Sequence, residues 1–283
     1  MQFTKMHGLG NDFLVVDDRN SVAIDWAALA RRACRRHFGV GADGILVVQR
    51  SVVADLRMRL FNADGSEAEQ CGNGVRCVAI LAADLGWAGD RITWETGAGP
   101  VTTRRQGGSV TVDMGPPRFA AREIPVATES DEVVDMPVDV DGERLRITCV
   151  SMGNPHCVVV VDDADGFAVG TLGPHLETHE LFPERTNVEF VEVLSPTRVR
   201  QRTWERGVGE TNACGSGACA TAVALRRLGL AGSPVTVELR GGDLLIEWQP
   251  GSAVLMTGAA ERVFTGELEL QPGEVLAAAT SAP

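Results

Sequence analysis

The chain has 283 residues, 44% of them apolar, long for a single core and sufficient for two. A formal net charge of −12 argues against nucleic acid as a partner, because phosphate binding needs clustered Lys and Arg. Residues 1–20 lack a charged-then-apolar signal pattern, and no apolar run approaches the roughly 20 residues that span a bilayer, so a cytoplasmic protein with no membrane association is expected.

The chain opens on His7-Gly8-Leu9-Gly10-Asn11-Asp12-Phe13, an asparagine in a glycine-bounded turn, and runs into the strand-like Phe13-Leu14-Val15-Val16. A helix is predicted over residues 26–37. Beyond Asn62, the turn Cys71-Gly72-Asn73-Gly74 leads into an apolar helical stretch at 75–85, and a strand follows at 92–94. Alternation in Val110-Thr111-Val112-Asp113, and later in Arg144-Leu145-Arg146-Ile147, predicts antiparallel strands with one wet face. Gly115-Pro116-Pro117 interrupts helix and strand alike and divides the chain into lobes at 1–115 and 116–261. The second lobe presents Gly153-Asn154-Pro155-His156, the strand Cys157-Val158-Val159-Val160-Val161, Thr186-Asn187-Val188, Glu205-Arg206, the turn Cys214-Gly215-Ser216-Gly217, a helix at 218–228 and a strand at 235–239. Strand-like residues follow from 262, and 262–275 is expected to return to the first lobe, with 276–283 a flexible tail. Strands outnumber helices, which predicts two α+β lobes.

The lobes say nearly the same thing twice. At a fixed offset of 143 residues, Cys71 pairs with Cys214, and 11 of the 35 positions in 61–95 are identical to their partners in 204–238. The same offset pairs Asn11 with Asn154, so each lobe sets an asparagine 60 residues before its cysteine. This is a duplicated domain with one active thiol in each copy. Cys34, Cys149 and Cys157 read as ordinary buried residues, and an odd count of seven cysteines without a disulfide rhythm fits reduced thiols.

Two like thiols suit inversion of a carbon stereocentre, where one group removes a proton from one face and another delivers a proton to the other. An unperturbed thiol pKa of about 8.5 allows thiolate base and thiol acid near neutrality. A position at a helix start is expected to lower that pKa further. Backbone N–H groups at Gly72, Asn73, Gly215 and Ser216 are placed to hold an α-carboxylate and its developing charge. The chain holds one lysine, Lys5, a poor Schiff-base anchor, so no pyridoxal phosphate, no other cofactor and no metal is expected. The register partners of Asn62 and Ala63 are Glu205 and Arg206, so a symmetric proton-transfer centre has an asymmetric rim. An elongated substrate with a distal polar end requires that, Arg206 gripping a carboxylate and Glu205 accepting from an ammonium. Asn187 adds an amide, and His156 has a proton-orienting place beside Asn154.

These motifs, in this order over residues 1–270, resemble those of diaminopimelate epimerase. The resemblance implies interconversion of LL- and meso-diaminopimelate by a two-base mechanism without cofactor, in lysine and cell-wall precursor synthesis. It implies an α+β fold of two pseudo-symmetric lobes, each a mixed, largely antiparallel sheet or barrel around a central helix, with the active site between lobes and a homodimer as the usual assembly. By position it makes Cys71 and Cys214 the acid/base pair, and Gly72, Asn73, Gly215 and Ser216 the carboxylate cradle. Asn11, Asn62, Asn154, Asn187, Glu205 and Arg206 become substrate contacts, with His156 and Glu205 supporting the thiols. Gly44 stands where many members have a glutamine, and Phe264 where many have an interface tyrosine. Two alternatives stay open: a proline or hydroxyproline epimerase, whose compact substrate would not need Asn187, Glu205 and Arg206, and a zinc or thiol-redox module on Cys71, Cys77, Cys214 and Cys219, whose spacing is wider than structural zinc prefers.

Overall fold

The computed structural model of the chain describes residues 1–69 and 71–275, and the tail expected at 276–283 lies outside them. The chain divides into two units, Met1–Val112 with Ala259–Pro283, and Asp113–Gly258. In chain order the elements are β1 (Gln2–Gly8), β2 (Asn11–Asp17), α1 (Trp26–Ala33), β3 (Gly44–Gln49), β4 (Leu56–Asn62), β5 (Glu67–Ala68), α2 (Gly72–Asp84), β6 (Arg91–Thr96), β7 (Gly99–Gln106) and β8 (Ser109–Asp113). They continue with β9 (Met136–Val140), β10 (Glu143–Ser151), β11 (Pro155–Val160), α3 (Val169–Glu177), β12 (Asn187–Ser195), β13 (Arg198–Glu205), β14 (Gly209–Thr211), α4 (Gly215–Leu228), β15 (Val235–Leu239), β16 (Gly242–Glu247), β17 (Leu255–Ala259) and β18 (Glu261–Glu267).

In the first unit the strand order is β18-β1-β2-β3-β4-β6-β7-β8, with β5 beside β4; β2–β3 and β4–β6 are parallel and the other pairs antiparallel. Helices α1 and α2 make the two parallel crossovers. Alternation along the strands sends successive side chains to opposite faces. Leu14, Val16, Ile45 and Val47 pack with Leu29, Ala30 and Ala33 of α1. The intervening Leu46 lies against Gly74 of α2, and α2 packs on β1, β2, β3, β4 and β7, so the sheet curves round it. Such fully covered strands read as the continuous apolar runs seen in the sequence.

The second unit repeats the plan as β9-β10-β11-β12-β13-β15-β16-β17, with β14 beside β13, β11–β12 and β13–β15 parallel, and α3 and α4 as crossovers. Its outer core joins Ile147, Cys149, Cys157, Val159 and Phe190 to Val169, Leu172 and Leu176 of α3. β9 and β18 hold equivalent edge places, but β18 comes from the far end of the chain.

The structure corrects four local expectations. The helix expected at 26–37 ends at Ala33, because the chain folds back on it: a Cβ at Gly39 would sit 2.5 Å from the carbonyl oxygens of Arg32 and Ala33, and His37 is left-handed at φ 71. The helix α3 is additional; Gly170, Gly173 and Pro174 hid it. The helices expected from 75 and 218 begin three residues earlier, which makes each cysteine an N-cap. Of the sheet-or-barrel alternative, the sheet holds: β18 pairs with β1 and, among the described residues, not with β8. Val275, the last residue of the segment expected to return, bridges Ile24.

Candidate active site

Both cysteines are placed by the same device. Cys71 adopts extended backbone (φ −150°, ψ 112°) and caps α2, its Sγ accepting from the Gly74 N–H at 3.3 Å. Cys214 (φ −121°, ψ 109°) caps α4 and accepts from the Gly217 N–H at 3.4 Å. Cysteine here takes the place of the Ser, Thr, Asp or Asn that usually satisfies an orphan N–H in the first helical turn.

Around Cys71, the thiol donates to Asn11 Oδ1 at 3.8 Å, and Asn73 Nδ2 donates to the same oxygen at 3.3 Å. Asn11 is itself held by Asp43, to which its Nδ2 donates at 2.7 Å. Below, the fully buried Arg76 donates to Asn73 Oδ1 (3.0 Å), the Gly72 carbonyl (3.3 Å) and the Ala259 carbonyl (3.2 Å). Its cation faces the first turn of α2. Asn62, at the end of β4, donates to Ser66 Oγ at 3.0 Å and is half-buried.

Around Cys214 the arrangement is parallel but more polar. Asn154 Nδ2 donates to Ser216 Oγ at 3.3 Å, the counterpart of the Asn73–Asn11 bond, and Ser216 Oγ lies 3.6 Å from the thiol. The His156 ring, fully buried, has Nε2 at 3.0 Å from Asn154 Oδ1 and Nδ1 at 2.8 Å from Glu189 Oε1. Glu205 Oε1 accepts from Thr211 Oγ1 at 2.5 Å. Burial, then the Glu205 and Glu189 carboxylates, push the Cys214 thiol well above its ordinary value, against the opposing pull of the Ser216 hydroxyl and the Gly217 N–H. The expected lowering at a helix start is therefore overturned at Cys214, because desolvation and two anions outweigh one capping dipole.

The first unit thus gathers Asn11, Gly72, Asn73 and Cys71, with Asn62 on the approach, and the second gathers Asn154, His156, Glu205, Gly215, Ser216 and Cys214. Asn187 is buried and already engaged: Nδ2 donates to the Pro155 carbonyl at 2.7 Å and Oδ1 accepts from the Arg206 N–H at 3.0 Å. It ties the Asn154 turn to the Glu205–Arg206 turn. The Arg206 side chain is exposed and reaches the Glu184 carbonyl at 3.2 Å. At Gly44 a Cβ would lie 2.7 Å from the Phe61 carbonyl oxygen, so the backbone closes the place where a glutamine was expected in relatives. Phe264, on β18, is exposed and packs edge-on against Phe3 at 5.8 Å.

Two residues escaped the sequence reading. Arg76 looked like one polar residue in an apolar helix. Glu189 looked like the wet position of a strand; the signal that could have found it is its register partner, Leu46, an apolar residue inside the continuous run of β3. The other cysteines carry no cap: Cys77 and Cys219 lie buried within α2 and α4, and burial pushes Cys34 and Cys77 up to about 12. No disulfide joins any of the seven, and no group of three metal-ligating side chains occurs among the described residues.

A duplicated α+β protein with a helix-capping thiol in each half is the class that fold and site define. Its fold is also that of a probable proline racemase from Agrobacterium radiobacter (TM-score 0.68, 17% identity, 96% of this chain and 94% of that one), a likeness of architecture alone. Sequence goes further: the family model for diaminopimelate epimerase matches residues 3–120 and 148–263. The diaminopimelate epimerase of Moorella thermoacetica is 52% identical over 95% of this chain and 100% of its own, and that of Pelotomaculum thermopropionicum 51% over 94% and 98%. This chain belongs to the diaminopimelate epimerase family.

Proposed function

We propose that this chain interconverts LL- and meso-2,6-diaminopimelate by a two-base reaction, serving lysine and cell-wall precursor synthesis. The observation that carries the reading is the pair of cysteine N-caps at α2 and α4, within a chain half identical to named diaminopimelate epimerases over nearly its whole length. One thiolate takes the α-proton from one face and the other thiol gives a proton to the opposite face; no net redox change or group transfer occurs. The backbone N–H groups of Gly72, Asn73, Gly215 and Ser216, at helix starts, suit the α-carboxylate, on which negative charge grows as the proton leaves. Asn11, Asn62 and Asn154 contribute amides, Glu205 accepts from an ammonium and Arg206 grips the distal carboxylate. Asn187 supports that end by fixing the Arg206 backbone. No step calls on a cofactor or metal.

Turnover in deuterium oxide tests substrate and mechanism together. Deuterium should enter the α-carbon of the product epimer from either starting isomer, and Cys71→Ala or Cys214→Ala should each abolish epimerisation. Near-normal epimerisation by either variant would overturn the two-base assignment. We further propose a cytoplasmic homodimer with Phe264 at its interface, favoured by Val263 and Phe264 side by side and exposed on β18. Light scattering should give twice the chain mass, and Phe264→Glu should give the monomer; a monomeric parent would sink this assignment.

A further inference from the structure

The two units differ most where α4 covers its sheet. Under α2, the first unit packs Phe13, Leu46, Met58, Leu60 and Val78, all buried. At the same register the second unit buries His156, Glu189, Gln201, Thr203 and Thr221. Geometry supports the equivalence: a Cβ at Gly74 would meet Leu46, and one at Gly217 would meet Glu189 Oε1 at 2.6 Å. Glu189 pairs across the ladder with Thr203, whose hydroxyl accepts from Gln201 Nε2 at 2.8 Å, and Thr221 lies one helical turn beyond Gly217. Glu189 Oε2, Gln201 Oε1 and Thr221 Oγ1 have no hydrogen-bond partner among the described residues. Buried polar atoms in that condition cost stability. The apolar version in the first unit shows that the fold does not require them, and rule-breaking of this kind concentrates at functional sites.

We propose that Glu189 is a positioning residue of the proton-transfer centre: it fixes the His156 ring, and through it Asn154 and Ser216, beneath Cys214. The inference rests on the epimerase reading above. The carboxylate accepts from Nδ1–H and Asn154 Oδ1 accepts from Nε2–H, which fixes the ring plane between them; Asn154 then presents Nδ2 to Ser216, beside the thiol. The first unit has Phe13 and Leu46 in the places of His156 and Glu189, and its thiol donates to Asn11 Oδ1. Cys214 is faced by Glu205 from β13, Glu189 from β12 and His156 from β11, and burial with the two carboxylates raises its thiol.

Two variants of the full chain test this: Glu189→Gln, and a transplant that copies the first unit (H156F, E189L, Q201M, T203L, T221V). For each, thermal unfolding, kcat and KM for diaminopimelate, and the pH midpoints for iodoacetamide labelling of Cys71 and Cys214 are measured. Glu189→Gln should lower kcat on the order of 10-fold or more with KM little changed, and should move the Cys214 labelling midpoint down while that of Cys71 stays. The transplant should melt no lower than the parent yet lose turnover, with the Cys214 midpoint again lower. Parental kcat and an unmoved Cys214 midpoint in Glu189→Gln would overturn the proposal, as would a loss of kcat matched by loss of folded protein in both variants. The labelling arm uses no substrate, so failure of the parent to epimerise diaminopimelate would sink the functional reading and leave the role of Glu189 decided by labelling.

Discussion

Cysteine as a helix N-cap is the residue-scale device on which the chain depends, and its two copies are not equivalent. Cys214 is buried and faced by the Glu205 and Glu189 carboxylates, while Cys71 is half-buried. A folded-state pKa raised above the unfolded one means the folded chain holds that proton more tightly. The corresponding stability is fully present below the ordinary thiol value of 9.0 and is lost as pH rises through and beyond it. Cys34, Cys77 and Cys157 are raised too, so the loss is collective. Urea unfolding should therefore show stability falling between about pH 9 and 11, and Cys214→Ala should flatten part of that fall; an unchanged slope would mean the thiol is not held protonated. At the other end of the proposed substrate, Arg206→Met should raise KM by about 30-fold or more, roughly 2 kcal/mol, as when one partner of a charge pair is deleted. Arg206→Lys should recover part of it, lacking the bidentate fork. Labelling of both thiols should continue at the parental rate, since the Arg206 side chain lies on the Glu184 carbonyl and not at a cap.

At the scale of elements, legibility depended on whether a residue's reason for being there was local. The strands, the cysteine turns and the asparagines 60 residues upstream were legible, because alternation, glycine turns and the fixed register are local signals. The helix α3 was not, since its glycines serve a tertiary contact: a Cβ at Gly173 would lie 2.7 Å from Trp204 Cγ, whereas Gly170 faces open space. Two substitutions in one helix should then have opposite signs. Gly173→Ala forces a methyl into the Trp204 ring and should destabilise by about 1–3 kcal/mol. Gly170→Ala relieves backbone entropy and should stabilise by about 0.5–1 kcal/mol. Denaturant midpoints decide, and equal effects would show that Trp204 yields freely. The excess length expected of α1 has the same origin: Arg35 and Arg36 are good helix formers, but the return of the chain at Gly39 onto the last turn overrides propensity. Glu189 escaped because a buried acid inside a strand has no sequence signature except by comparison with its own duplicate.

On the scale of the whole molecule, the duplication is not quite a tandem repeat, because the first unit is completed by the last strand of the chain. β18 pairs with β1 along its length, the Met1 amino group donates to the Leu268 carbonyl at 2.7 Å, Arg32 grips Glu274 through two bonds, and the buried Arg76 donates to the Ala259 carbonyl. A hydrogen bond from a charged donor is worth about 1.5–3 kcal/mol, and several together approach the 5–15 kcal/mol that holds a typical domain. The second unit has its own edge strand, β9, and takes nothing comparable from beyond residue 258 in its own ladder. A chain cut after residue 258 should therefore lose hydrogen-exchange protection in β1, β2 and α2 while keeping it in β10 to β13 and α4. The segment 113–258 expressed alone should unfold cooperatively. The loss in the cut chain reaches the first thiol directly, because Arg76, deprived of the Ala259 carbonyl, is the residue that holds Asn73 and Gly72 in the first turn of α2; labelling of Cys71 should rise sharply in the cut chain while that of Cys214 changes less. Native protection in β1 after the cut would show that β18 covers the first unit without helping to fold it.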